Sequence, residues 1–275
     1  MVAEPRSADA RPGEAFAPAR ILFVGDIVGG SGRKTLLRSM PVLRERYEPT
    51  FVVVNGENAA GGLGITPKIA GELFAAGVDV ITLGNHAYHR REIIPYLEDE
   101  PRMLRPVNYV HSQPGRGVGV LERDGVRLGV VNVSGNLFMR AAHPAFSEID
   151  RALRELGDVD QLLVDVHAEA TSEKVALGWY LDGRVTAVVG THTHVPTADA
   201  RVLPGGTAYI TDVGMTGARG GVIGVERGRA IEGFLTQMPT HFEPASEDPW
   251  LMAVLIDCSA RLRADAIQQI LLESP

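Results

Sequence analysis

FVVVNGENAAGGLGITPKIAGELFAAGVDVITLGNH, residues 51–86, reads as a buried strand, a glycine-rich loop, an amphipathic helix and a second buried strand. Its two apolar runs, 51–58 and 78–86, are rich in β-branched residues and end in Gly, Asn, Glu or His. The intervening 67–77 segment places apolar residues at helical spacing. A strand buried on both faces that leads through a helix to another such strand is a βαβ unit, and βαβ units build parallel sheets with a right-handed crossover. Moving outward, ILFVGD (21–26) supplies an earlier strand and RKTLLRSMPVLRERY (33–47) the helix that follows it. Downstream, QLLVDVH (161–167), TAVVGTHTH (186–194) and TAYITD (207–212) repeat the strand pattern. VGVLERDGVRLGVVNVSG (118–135) consists of two alternating runs around Asp124-Gly125, a hairpin signal, so a mixed sheet is expected. LMAVLIDC (251–258) is a further strand, and AIQQILLE (266–273) fits either its hairpin partner or a short helix. The expectation is one α/β domain over 20–275 behind a disordered N-terminal tail, 1–19.

Bulk properties narrow the function. The 275 residues carry a formal net charge of −7, so no overall basic field exists to hold a nucleic-acid backbone or an anionic membrane. No stable nucleic-acid partner is expected, and a phosphate ester would have to be attracted by a local cation. The single cysteine, Cys258, excludes an internal disulfide and leaves no cysteine-based zinc site. Pro5, Pro12 and Pro18 interrupt an N-terminus without an apolar signal core, and no run of about 18 apolar residues is present. A cytoplasmic location without a membrane span follows as the default. A homo-oligomer is left open.

In open α/β sheets, ligands bind beyond the carboxyl ends of the strands. Here those ends carry Asp26, then Glu57 and Asn58, then Asn85 and His86, then His167, and finally His192 and His194. Each residue alone has an ordinary reading as a turn former, a cap or a satisfied core group. Five strand ends that all deliver acid, amide or imidazole groups point instead to a metal site. In an extended segment His192 and His194 would project to one side and face one centre. Glu57 offers a carboxylate able to bridge two cations at the separation of about 3.5–4 Å used for phosphoryl chemistry.

These residues carry a resemblance. Gly25-Asp26, Gly84-Asn85-His86 and Gly190-Thr191-His192-Thr193-His194 are similar to the GD, GNH and GHxH hallmarks of calcineurin-like metallophosphoesterases, with Thr191 as an insertion. The superfamily's DxH and GDxxD motifs read here Asp26-Ile27-Val28 and Asn55-Gly56-Glu57-Asn58, so ligand roles are redistributed. That pattern, with NGENAAGGLGIT (55–66), HAEATSEKVALGWYLDGRV (167–185) and GTHTHVPTADARVLPGGTAYITDVGMTG (190–217), resembles the bacterial YmdB-type cyclic-nucleotide phosphodiesterases from residue 20 onward. The resemblance implies a four-layer αββα sandwich with mixed β-sheets and a pair of iron or manganese ions. It further implies that Asp26, Glu57, Asn58, Asn85, His167, His192 and His194 bind metal and that His86 acts on the substrate, a 2′,3′-cyclic or 3′,5′-cyclic nucleotide. One ion is expected on Asp26, Glu57, Asn58 and His194, and the other on Glu57, Asn85, His167 and His192.

The chemistry so implied is attack on phosphorus by a hydroxide shared between the cations, with His86 assisting the ester oxygens. Asp165 and Glu169, on either side of His167, are candidates to orient its imidazole. Glycine-rich 61–64 and 214–217 fit either phosphate contacts or tight turns, and His89 fits a surface position. Two rival readings use the same residues: a phosphomonoesterase or nuclease with the same dimetal site, and a metal-stabilised regulatory protein that binds nucleotide or RNA.

Overall fold

Alternation along strand β1 (Ala19–Val24) sends Leu22 and Val24 into one apolar core and Ala19, Ile21 and Phe23 into another. β3 (Phe51–Asn55) divides in the same way, with Val52 and Val54 on one face and Phe51 and Val53 on the other. Because successive strand residues point to opposite faces, an unbroken apolar run means a sheet covered on both sides. The computed structural model describes residues 17–274. β1 begins at Ala19, the last position assigned to the expected tail, and residues 1–16 lie outside the described part.

Among the described residues the strands form two sheets. In the first, β2 (Asp26–Ile27), β12 (Met215–Ala218), β13 (Pro249–Cys258), β1, β3, β4 (Val80–Thr82) and β5 (Met103–Leu104) follow one another, with β14 (Ala266–Glu273) also on β13. β1, β3, β4 and β5 run parallel, whereas β13 is antiparallel to β1. The second runs β10 (Arg201–Val202), β11 (Ala208–Ile210), β9 (Ala187–Thr191), β8 (Gln161–His167), β7 (Val126–Ser134), β6 (Val118–Arg123), with β11, β9, β8 and β7 parallel. Both sheets are mixed, as expected. The β6–β7 hairpin turns at Asp124 and Gly125, which have φ of 53° and 77°. Positive φ at both central residues matches the right-handed twist of the strands they join. The ambiguous 266–273 segment is a strand, paired along its length from Trp250↔Glu273 to Asp257↔Ala266.

α1 (Gly29–Tyr47), α2 (Pro67–Ala75) and α3 (Ile93–Asp99) cover the outer face of the first sheet with Leu36, Met40, Leu43, Ile69, Leu73, Ile93 and Leu97. Each such side chain, fully buried, contributes about 1.5–3 kcal/mol. α2 starts where the Thr66 hydroxyl accepts the Ile69 amide at 3.2 Å and Pro67 presets the first turn. α4 (Ala145–Glu155) and α5 (Thr171–Leu181) cover the second sheet with Ala145, Ile149, Ala152, Leu177 and Leu181. The inner faces meet in a third core that includes Phe23, Val53, Val130, Leu163 and Val189. The order is therefore helix, sheet, sheet, helix, the αββα sandwich. No helix among the described residues is long and apolar enough to cross a membrane. This architecture brings the C-terminal ends of β1, β3 and β4 against those of β8 and β9.

Candidate metal centre

Asp26 opens β2 and is fully buried. Glu57 and Asn58 lie in the turn after β3, and the Glu57 amide is held by Asn55 Oδ1 at 3.2 Å. Glu57 Oε2 accepts the His86 amide at 2.9 Å, which ties the loop after β4 to the loop after β3. Gly84 has to be glycine here. A Cβ on it would overlap the His167 ring and the Glu57 carboxylate. His167 is the last residue of β8 and wholly buried.

The seven ligand candidates converge. His167 Nε2 lies 3.2 Å from Glu57 Oε1, 2.9 Å from Asn85 Oδ1 and 3.2 Å from His192 Nδ1. Glu57, His167 and His192 offer ligand atoms all within 4.8 Å of one another. His194 Nε2 is 3.7 Å from Asp26 Oδ1 and 3.2 Å from Asn58 Nδ2. His86 sits at the mouth of this cluster, with Nδ1 2.7 Å from Asn58 Oδ1 and 3.3 Å from Glu57 Oε1. Asn58 therefore turns its amide nitrogen, not its oxygen, toward Glu57 and His194. His89 is exposed, as expected, with its ring edge-on to His86 at 4.9 Å.

All three inner imidazoles have one nitrogen occupied and the other aimed inward. His167 Nδ1 lies 2.9 Å from Thr191 Oγ1, whose hydroxyl donates onward to Asp165 Oδ1 at 2.7 Å. A hydroxyl already donating can only accept from the ring, so Nδ1 carries the proton and Nε2 faces the cluster. His192 turns Nε2 to Glu169 Oε2 at 3.0 Å, and His194 donates Nδ1–H to the Ile223 carbonyl at 2.8 Å. The second carboxyl oxygen of Asp165 accepts from Asn55 and Thr82, so one buried acid joins β3, β4, β8 and β9 beneath the cluster. Asp165 thus reaches His167 through Thr191, while Glu169 serves His192 instead of His167.

The titration behaviour reflects this crowding. Burial pulls the His167 pKa down, but the Glu57 charge and hydrogen bond, with Asp26 and Asp165, carry it up to about 9. Burial pushes the Glu57 carboxyl up, yet the charge and hydrogen bond of His167 and the contacts of His86 outweigh burial and hold it well below its usual value. His192 falls to about 3 through burial and the His167 charge. Burial raises Asp165 to about 6 and raises Asp26. Asp26 Oδ1 is buried with no hydrogen-bond partner among the described residues. Such an orphaned carboxylate oxygen costs free energy unless a cation or donor meets it. Together with three inward-facing imidazole nitrogens and the Glu57 carboxylate, it makes a donor set that fits divalent cations.

One expectation is corrected. β9 ends at Thr191, and His192 and His194 have φ of 95° and 66°. The two rings face the cluster because the chain turns through positive φ, not because a pleated strand alternates. Three features escaped the sequence reading. Thr191 is the proton acceptor for His167. Lys174 Nζ, buried, bonds Asp212 Oδ2 at 2.7 Å and the Thr191 carbonyl at 2.6 Å, and Asp212 Oδ2 also accepts from the Thr193 hydroxyl at 2.8 Å. No local periodicity signals any of these. The third is a second histidine group, His111, His143 and Glu148, outside the residues that line the cleft. Its carboxylate is already occupied by His111 at 2.9 Å and Arg151 at 2.7 Å.

Residues 22–270 match the family model described as YmdB-like protein. A Bacillus subtilis protein named 2′,3′-cyclic-nucleotide 2′-phosphodiesterase is 45% identical over 255 residues, covering 92% of this chain and 97% of that one. A crystal structure of a hypothetical protein from Thermus thermophilus superposes with a TM-score of 0.88 at 43% identity, over 93% of this chain and all of that one (100%). That of a novel phosphatase from Mycoplasma pneumoniae gives 0.87 at 32% identity, over 94% of each chain. With the family match spanning most of its length and a curated relative at 45% identity, this chain belongs to the YmdB-like family.

Proposed function

We propose that this protein hydrolyses 2′,3′-cyclic nucleotides with a pair of metal ions held by Asp26, Glu57, Asn58, Asn85, His167, His192 and His194. The observation that carries this reading is that His167, His192 and His194 each have one ring nitrogen tied to Thr191, Glu169 or Ile223 and the other turned into the cluster, toward Glu57 for His167, toward His167 for His192 and toward Asp26 for His194. One ion is assigned to Asp26, Glu57, Asn58 and His194, and the other to Glu57, Asn85, His167 and His192. Oxygen donors mixed with imidazoles suit iron or manganese. When bound, two such cations lower the pKa of water and neutralise charge on phosphoryl oxygens. Residues 20–275 are taken as one working unit, with a small cyclic phosphodiester as its partner molecule.

The chain's own residues do the rest. Glu57 Oε1 lies 3.1 Å from Asn58 Nδ2 and 3.2 Å from His167 Nε2, beside residues assigned to both ions, so its carboxylate would help hold each of them. Asn58 presents Nδ2 toward His194 and Glu57, and a ligand role requires the amide to rotate so that Oδ1 takes that place. The rotated amide then offers Nδ2–H to His86 Nδ1. His86 thereby keeps its proton on Nε2, the nitrogen that makes no hydrogen bond among the described residues, and donates it to an ester oxygen in the cleft. Metal loading and the donor state of His86 are linked through one side chain.

Metal analysis of the purified protein, followed by turnover of a 2′,3′-cyclic nucleotide panel and of bis-p-nitrophenyl phosphate against p-nitrophenyl phosphate after manganese loading, tests this reading. Close to two metals per chain and a preference for diesters are expected. A clear monoester preference, or less than one metal per chain after loading, would overturn it.

A further inference from the structure

The cleft above the metal cluster has two unlike walls. Glu57, Asn58, His86, His192 and His194 form its polar floor, and Val28, Leu63, Ile223, Val225, Phe242 and Pro244 form an apolar side. Its volume of about 320 Å³ lies at the small end of the range for ligand sites. Phe242 is 63% exposed and Ile223 51% exposed, large apolar groups left facing water beside a polar floor. The wall is braced: the Ala245 amide donates to the Gly224 carbonyl and the Glu226 amide to the Glu243 carbonyl, both at 2.8 Å. It is also joined to the metal floor, because the Ile223 carbonyl accepts the Nδ1–H of His194. An apolar surface is thus set at a fixed offset from the place where phosphorus is proposed to sit.

Charge adds a second constraint. Among the described residues no Lys or Arg lines the cleft, whereas Glu169 and Glu243 do. A substrate phosphate beyond the scissile one would meet carboxylates and no side-chain cation there. We propose that Phe242, which lines the cleft together with Ile223 and Leu63, is a stacking shelf for the substrate's base, and that the cleft accepts a lone cyclic mononucleotide while disfavouring base-free esters and nucleotides with additional phosphates. An aromatic face stacks on any base, so the shelf selects for the presence of a base and not for its identity. This rests on the cyclic-phosphodiesterase reading above.

The test compares manganese-loaded wild type, Phe242→Ala and Phe242→Tyr on 2′,3′-cyclic AMP, on its 5′-phosphorylated form and on base-free ribose 2′,3′-cyclic phosphate. Phe242→Ala is expected to raise KM for cyclic AMP about 5- to 150-fold, the range for loss of one base–aromatic stack. kcat, metal content and the KM for the base-free ester should stay near wild type, and Phe242→Tyr should restore binding. The 5′-phosphate should weaken binding to wild type. Calorimetric titration with 3′-AMP should show the same loss in Phe242→Ala without any turnover. An unchanged KM for cyclic AMP in Phe242→Ala, or an equal rise for the base-free ester, overturns the shelf while leaving the diesterase reading intact. No hydrolysis of either cyclic substrate by wild type overturns both.

Discussion

Lys174 Nζ lies 2.7 Å from Asp212 Oδ2 with both side chains buried, and the pair clamps the loop that carries His192 and His194. The lysine also holds the Thr191 carbonyl, and the aspartate holds the Thr193 hydroxyl and amide. Removing one partner strands a buried charge, which costs about 3–5 kcal/mol. Lys174→Met should therefore lower the urea midpoint by that equivalent and reduce bound metal, and the double change Lys174→Met with Asp212→Asn should recover part of the stability. Equal stability of wild type and Lys174→Met would show that the clamp is not needed.

His86 reaches the cleft but does not complete the inward-facing set of donors. His86→Ala should keep its metals and lose about 10²- to 10⁴-fold in kcat, the usual worth of a positioned proton donor. Metal content measured beside kcat decides the matter, since a parallel fall in both would make His86 a ligand.

Asn58→Asp keeps an oxygen for the cation but removes the Nδ2–H that the rotated amide of the proposed metal-bound form would offer to His86. Metal stoichiometry should persist while kcat falls about tenfold or more, the equivalent of roughly 1.4 kcal/mol in the barrier. The pH–rate profile should move as well, because a carboxylate beside His86 favours its charged form. An unshifted profile would separate Asn58 from the protonation of His86.

A methyl group at Gly84 collides with both His167 and Glu57. Gly84→Ala should destabilise the fold by about 1–3 kcal/mol, as overpacking does, and lower metal affinity. Gly71→Ala, inside α2 where a Cβ meets nothing within 4 Å, is the control: it should leave metal affinity unchanged and raise stability by about 0.5–1 kcal/mol. Thermal melts with and without manganese read both effects.

Asp26 bears on stability with a definite sign. Burial raises its folded-state pKa above the ordinary value of 3.8, so the folded chain prefers the protonated form and the ionised form costs stability as pH rises past that ordinary value. Asp26→Asn should accordingly raise the melting temperature of metal-free protein at neutral pH. It should also diminish the gain from manganese, which for wild type is about 2.7 kcal/mol at a hundredfold excess over Kd. A melting temperature of the metal-free variant below that of wild type would contradict this.

The strands and the polar residues at their ends were readable from the chain itself, because a run of β-branched residues and the type of residue that closes it are properties of neighbours in sequence. ILFVGD, FVVVNGEN and QLLVDVH each announce a buried strand and an acid, amide or imidazole where it stops. The Asp124-Gly125 turn was equally local, since its two positive φ values depend on two adjacent residues. What only the tertiary structure decided is which nitrogen of each histidine faces inward, as that depends on partners such as Asp165 and Thr191 for His167 and Ile223 for His194. The same holds for His192 and His194, whose convergence comes from positive φ beyond the end of β9, and for Phe242, which reaches the cleft from a distant loop. Hydrogen-bond partners and cleft walls are set by how the two sheets pack, and packing brings together residues that no sequence period relates.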